Sequence, residues 1–175
     1  GTKIGVDLTN NSWGGGGSSD IMKKVIEDAG DKGIMFVAAA GNAANNNDGS
    51  PSYPASYDLN NIISVASTDS SGKLSSFSNY GAVSVDIAAP GSSILSTYPN
   101  NQYRTLSGTS MASPHVAGAV ALVLSKDRDL SVSEIRSRLF DHVRTLDSLK
   151  NRVATGGLLN IGNSMGDGSG SDSEA

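Results

Sequence analysis

Four short stretches of this chain carry apolar residues without clean alternation, and they constrain its fold more than any other feature. They are IGVDLTNNS (4–12), GIMFVAAAG (33–41), IISVASTD (62–69) and AVSVDIAAP (82–90), each bounded by turn-forming residues. A strand with one wet face alternates apolar and polar residues. A run without clean alternation is covered on both faces, as strands of a parallel sheet are. Between the first two lies SSDIMKKVIEDAGDK (18–32), with a Ser start, an early Asp20 and Ile21, Val25, Ile26 and Ala29 at helical spacing. Gly33 is its stop signal. Strand, helix and strand over 4–41 form a βαβ unit, whose crossover is right-handed by default. Two more helices are expected, one from about 110 to 126 and one over 131–143. The latter opens on a capping box, Ser131 with Glu134, and turns Ile135, Leu139 and Val143 inward. Together these elements predict a three-layer α/β domain, a mostly parallel sheet with helices on both faces.

A length of 175 residues suffices for one domain with a sizeable core. The 21 glycines follow no collagen-like period and fit a loop-rich α/β chain. A net charge of -4 gives no basic surface for nucleic acid or an anionic membrane. Cysteine is absent, which excludes disulfides and thiolate metal sites and leaves the compartment open. The opening GTKIGVDLTNNSW has no apolar run behind a basic start, so it does not read as a secretory leader. The longest apolar run, VAGAVALVL (116–124), is far short of the roughly 20 residues a membrane helix needs. The polar loop 42–61 is long enough to be either functional or disordered. The acidic Gly/Ser tail is expected to be disordered, with the domain covering 1–163 and the tail 164–175.

Chemistry concentrates in SGTSMASPHVAG (107–118), which crowds small residues around one His. A hydroxyl acts as a nucleophile when it stands at a sharp turn, near donors for an oxyanion and within reach of a base. Ser110 sits where a Gly-rich approach becomes a helix, so its N–H is an unpaired donor at the favourable end of the dipole. Gly108 and Ala112 leave room for a substrate backbone. Ala117, Gly118, Ala119 and Ala121 are expected to let the helix bury itself against the sheet. The plain alternative is an N-cap serine on a buried, Ala-rich helix. His115 is not its base: five residues are about 500° of helix, some 140° from Ser110 and about 7.5 Å along the axis. It reads as a structural residue on the buried face, and His142 as a solvated surface residue.

The same stretch resembles the active-site signature of the subtilisin-like serine proteases. NNSWGG (10–15), VAAAGN (37–42), SYPASY (52–57), FSNYG (77–81), DIAAPG (86–91) and GGLLN (156–160) follow in that family's order, so the resemblance covers residues 4–161. It implies a carboxyl-terminal portion of a peptidase domain, hydrolysing peptide bonds through an acyl-enzyme on Ser110. Asn42 would donate its side-chain amide to the oxyanion, with Thr109 in support. Ser12, Trp13, Gly14 and Gly15, with Ala39, Ala40 and Gly41, would wall the pocket for the side chain before the scissile bond. Ser52, Tyr53, Pro54 and Ala55 would floor it; they carry no charge, which favours neutral or apolar substrate side chains over basic ones. The edge from Gly14 to Gly16 would pair with substrate backbone. No cofactor is required. A structural Ca²⁺ is implied near 55–62, using carbonyls and Asp86; the alternative is a strand-end Asp bound to backbone N–H groups. Met111 would be exposed to peroxide. An extracellular location is implied by the family alone.

Neither the family's HGT-type helix nor its D-[ST]-G strand end is present. Asp7 lies in the wrong strand and Asp48 reads as a turn aspartate. Without an acid and a base, the chain alone is expected to have little or no peptidase activity. Three readings follow: part of a complete protease, one chain of a two-chain enzyme completed by an upstream segment, or a non-catalytic binding scaffold. A propeptide is a further expected partner, besides the peptide or protein substrate. The strand at 4–12 would then be an open sheet edge with uncovered apolar residues beside it. Nucleotide binding at TNNSWGGGGSSD fails on spacing, because no Lys-Ser/Thr pair follows the glycines.

Overall fold

The computed structural model describes residues 5–166. Four parallel strands stand side by side in chain order: β1 (Leu8–Asn11), β2 (Met35–Ala39), β3 (Ile62–Thr68) and β4 (Ile87–Pro90). The two-residue strands β7 (Arg144–Thr145) and β8 (Gly157–Leu158) finish this sheet, β8 parallel to β4 and β7 antiparallel at the edge. Helices cover both faces. On one, α2 (Thr109–Lys126) and α3 (Val132–Phe140) seal Met35, Val37, Ile63, Val65 and Ile87. On the other, α1 (Asp20–Gly30) packs Ile26 against Ala38, Tyr57 and Ile62, while Leu149 and Val153 cover Ala66 and Ala88. The fold is therefore the expected three-layer α/β arrangement.

Local signals fix the helix ends. Ser19 caps α1 by accepting from the Met22 N–H at 3.3 Å. At α3 both halves of the capping box form, the Ser131 hydroxyl taking the Glu134 N–H and the Glu134 carboxylate taking the Ser131 N–H. The Ser131 hydroxyl, which also donates to that carboxylate, and the Ser131 N–H hold the exposed Glu134 carboxyl below its ordinary value.

Several expectations need correction. β1 and β4 are shorter than 4–12 and 82–90: residues 5–7 and 82–86 lie outside the ladder. At β4 the cause is Asp48, whose carboxylate captures the N–H groups of Val83 and Ser84 in a turn. The helix expected over 131–143 stops at Phe140. A hairpin, β5 (Ile94–Tyr98) with β6 (Gln102–Leu106), stands apart from the main sheet and was not anticipated. Its signal was the alternation in ILSTY and QYRTL around Asn100 and Asn101, both at left-handed φ. α4 (Ile161–Ser164) runs across the expected boundary at 163, burying Ser164 and packing Met165 on the core. Residues 167–175, most of the expected tail, and 1–4 lie outside the described residues. On α2, Ala117 and Ala119 are buried as expected, but Gly118 and Ala121 face outward with Leu122. β1 is an edge strand paired with β2. The uncovered apolar side chains nearby belong to α1, where Ile21 and Val25 face outward, rather than to β1 itself.

Candidate active site

The nucleophile candidate is placed by a close backbone crossing. After β4 the chain turns at Gly91, whose carbonyl accepts the Gly108 N–H at 2.8 Å. A Cβ on Gly91 would stand 2.3 Å from Ser67 Oγ and 2.7 Å from the Gly108 carbonyl, so this crossing tolerates only glycine. α2 starts one residue past Gly108, and Ser110, its second residue, is half-buried. The Ser110 N–H has no hydrogen-bond partner among the described residues, as expected for the first turn of a helix.

Asn42 follows β2 and meets this turn directly. Its Oδ1 accepts from the Thr109 N–H at 2.8 Å and from the Thr109 hydroxyl at 2.9 Å. Thr109 is fully buried, and its hydroxyl oxygen also accepts the Gly41 N–H at 3.2 Å. With Oδ1 held twice, Nδ2 is the free end of the amide. It lies 3.6 Å from the point where a Cβ on Gly108 would stand. Two unspent donors, Asn42 Nδ2 and the Ser110 N–H, thus flank the open side of Gly108.

The loop carrying Asn42 is ordered by side-chain amides. Asn79 is buried; its Oδ1 accepts from the N–H groups of Ala43 and Asn45, at 2.8 and 3.1 Å. Its Nδ2 donates to the Ala40 carbonyl and to Asn47 Oδ1, both at 3.0 Å. Asn47 donates to the same Ala40 carbonyl at 2.9 Å. Asn79 and Asn47 were missed as site-shaping residues. The signal was the density of Asn in NAANNN and FSNYG, since a buried amide pairs with backbone as another strand would.

A cavity of about 220 Å³ opens beside Ser110, lined by Trp13, Gly14, Gly15, Ala39, Gly41, Asn42, Ser52 and Thr109. Three larger hollows, about 680, 510 and 370 Å³, lie elsewhere among the described residues; convergent donors, not size, single out this one. Of the expected wall and floor residues, Ala40 is wholly buried among Ala66 and Ala88 and does not line the cavity. Tyr53 and Pro54 stand behind it: the Tyr53 carbonyl accepts the Gly15 N–H at 2.9 Å, and Pro54 is buried after a cis peptide bond. Gly16 is exposed at φ +86 and lies outside the lining. Ser12 is turned toward Ser110 instead: the Ser110 hydroxyl donates to the Ser12 carbonyl at 3.2 Å.

Neither histidine hydrogen-bonds to Ser110. His115 Nδ1 lies 2.8 Å from the Met111 carbonyl of its own helix, and the side chain is half-buried rather than on the covered face. His142 is exposed at the end of α3, with Nδ1 3.1 Å from the Arg138 carbonyl. Asp7 pairs with Arg128 on the surface, and Asp48 is the expected turn aspartate.

The cation reading of Asp86 does not fit. Its Oδ1 takes a 2.9 Å ion pair from Arg136 Nη2, and its Oδ2 accepts the Ser64 N–H at 2.7 Å. Arg136 also donates to the Ile62 carbonyl, so a guanidinium already faces the acid and a carbonyl of that segment. The backbone N–H alternative holds for one oxygen. Burial pushes the Asp86 carboxyl above its ordinary value, with the Arg136 charge and the Ser64 bond opposing.

Several known proteins resemble this chain. Subtilisin DY from Bacillus licheniformis is 48% identical over 139 residues, covering 79% of this chain and 50% of the relative. Thermitase from Thermoactinomyces vulgaris is 49% identical over 135 residues, 77% of this chain and 46% of the relative. The major intracellular serine protease of Bacillus subtilis (strain 168) is 39% identical over 160 residues, 87% of this chain and 49% of the relative. Among solved structures, a cold adapted subtilisin-like serine proteinase superposes with a TM-score of 0.77 at 36% identity, covering 86% of this chain and 53% of that one. The chain thus spans about half the length of the curated relatives it matches. The subtilase family itself matches residues 2–163, and the chain belongs to that family.

Proposed function

We propose that this chain supplies the nucleophile and oxyanion half of a serine endopeptidase site. Ser110 attacks the scissile carbonyl, and Asn42 Nδ2 with the Ser110 N–H stabilises the oxyanion of the acyl-transfer intermediate. The observation that carries this reading is the double anchoring of Asn42 Oδ1 on Thr109, which leaves Nδ2 beside Ser110 with no other partner among the described residues. The cavity beside Ser110 receives the side chain before the scissile bond, and its uncharged lining suits a neutral side chain. The exposed Gly14–Gly16 edge takes the substrate backbone, so the substrate is a peptide or an extended protein segment.

An upstream segment provides the base and its orienting acid, and the chain alone has little or no activity. Losing a base from such a pair costs on the order of 10⁶ in turnover in subtilisins. A site outside the cell is proposed from the family; a relative whose name says intracellular makes a secretion assay its test.

The test is a fluorophosphonate probe with a chromogenic peptide, applied to the chain alone and after adding the upstream half of subtilisin DY. Labelling of Ser110 only in the mixture, abolished by Ser110→Ala, is the expected result. Turnover by the chain alone would refute the claim of inactivity. Silence in the mixture would favour a binding scaffold instead.

A further inference from the structure

Helix α2 carries a proline, Pro114, at its sixth residue. In an unbroken α-helix the carbonyl of residue 110 accepts from the N–H of residue 114. Proline has no N–H, so the carbonyl of Ser110 is left without its helical donor. A side chain from another element fills that position: Ser12 Oγ donates to the Ser110 carbonyl at 2.9 Å, across 98 residues of chain.

The hydroxyl of Ser12 is itself aimed. Asn10 Nδ2 donates to Ser12 Oγ at 3.0 Å, so the Ser12 proton is directed at the Ser110 carbonyl. Asn10 is fixed in turn, because the buried Ser113 hydroxyl donates to Asn10 Oδ1 at 2.7 Å. The return bond runs from the Ser110 hydroxyl to the Ser12 carbonyl. Ser12 and Ser110 therefore exchange two hydrogen bonds, each giving its hydroxyl to the other's carbonyl. The pair joins the end of β1 to the first turn of α2.

We propose that Ser12 is a positioning residue for Ser110, its hydroxyl standing in for the helix hydrogen bond that Pro114 cannot make. The role of Ser110 as nucleophile rests on the reading above; the latch is a separate claim about how that side chain is held. A first helical turn lacking one carbonyl's donor is free to tilt, and a tilt there swings the Ser110 hydroxyl. The Ser12–Ser110 pair removes that freedom without placing an N–H at position 114.

Two resonances of the 175-residue chain test this without any probe or substrate: the ¹³C carbonyl shift of Ser110 and its χ1 couplings. Ser12→Ala should move the carbonyl upfield and average the couplings over rotamers. Ser12→Thr, which keeps a hydroxyl, should restore both. Ser12→Ala with Pro114→Ala should also restore both, because the second substitution supplies the missing backbone N–H. If Ser12→Ala fails to fold, Pro114→Ala alone decides: a second donor should move the Ser110 carbonyl downfield. Unmoved signals in Ser12→Ala, no rescue by Ser12→Thr, or an unmoved carbonyl in Pro114→Ala would each overturn the proposal. Silence toward a fluorophosphonate even after the upstream half is added would sink the acyl-transfer reading and leave these signals untouched, so the two failures are distinguishable.

Discussion

Asn42 and Thr109 are joined twice, the Asn42 carbonyl oxygen taking both the backbone N–H and the hydroxyl of Thr109 at 2.8 and 2.9 Å. One of these bonds can be removed without touching the other. Thr109→Val, close in shape at a fully buried site, leaves the N–H and deletes the hydroxyl. Once a base is supplied, Ser110 labelling should fall about tenfold, the equivalent of one hydrogen bond. Asn42→Leu should cost about 10²–10³, the scale such donors carry in subtilisins, and Thr109→Ser should cost least. Labelling rates of the three variants give the order.

The Asp86–Arg136 pair gives a pH-dependent expectation. The Asp86 carboxyl titrates above its unfolded value because burial outweighs the Arg136 charge. The native state therefore holds this proton more tightly than the unfolded chain, and stability falls as pH rises through the folded pKa. Arg136→Ala removes the opposing charge, raises that pKa further and leaves a largely buried carboxylate unpaired. We expect a loss of about 1–3 kcal/mol at pH 7, between exposed and fully buried pairs. The loss should shrink at pH 4, where Asp86 is nearer neutral. Thermal melts at the two pH values measure it.

Asp48 behaves in the opposite sense. Partial burial would raise its pKa, but bonds from the Ser84 hydroxyl and the Ser84 and Val83 N–H groups together lower it. A lowered folded pKa contributes stability above the unfolded value of 3.8 and loses it as pH falls through the folded one. Asp48→Ala should cost about 1 kcal/mol near neutrality, discounted for the exposure of the group. Variant and parent should converge toward pH 2 in acid titrations followed by circular dichroism.

Two glycines should respond with opposite sign. Gly91→Ala drives a Cβ into Ser67 and the Gly108 carbonyl, and should destabilise by about 1–3 kcal/mol while displacing the approach to Ser110. Gly118→Ala meets nothing within 4 Å on the outward face of α2 and should stabilise by up to about 1 kcal/mol. Paired denaturant melts test both at once.

The sheet was readable because burial on both faces leaves a mark in composition: MFVAA and IISVAST have no polar alternation to misread. Ser110 stood out as a candidate for a different reason, its small neighbours that let backbones approach, whereas Asn42 was read only through the family resemblance. The hairpin of β5 and β6 escaped because it lies off the core, with Leu95 and Tyr103 facing water. Asp86 was misassigned because its partner, Arg136, is 50 residues away on α3, and spacing along the chain does not reveal such a pair. Asn79 escaped likewise, its bonds reaching back 34 to 39 residues to Asn45, Ala43 and Ala40.

The bonds that shape the nucleophile's surroundings join distant points of the chain: Ser12 to Ser110 across 98 residues, Asn42 to Thr109 across 67. The first spans β1 to β4 and the second runs from the end of β2 past β3 and β4, and parallel strands with long crossovers close slowly. The turn carrying Ser110 is accordingly expected to assemble late in folding. The proposed site is thus the last thing this chain puts together, made from parts that mean nothing until the sheet exists.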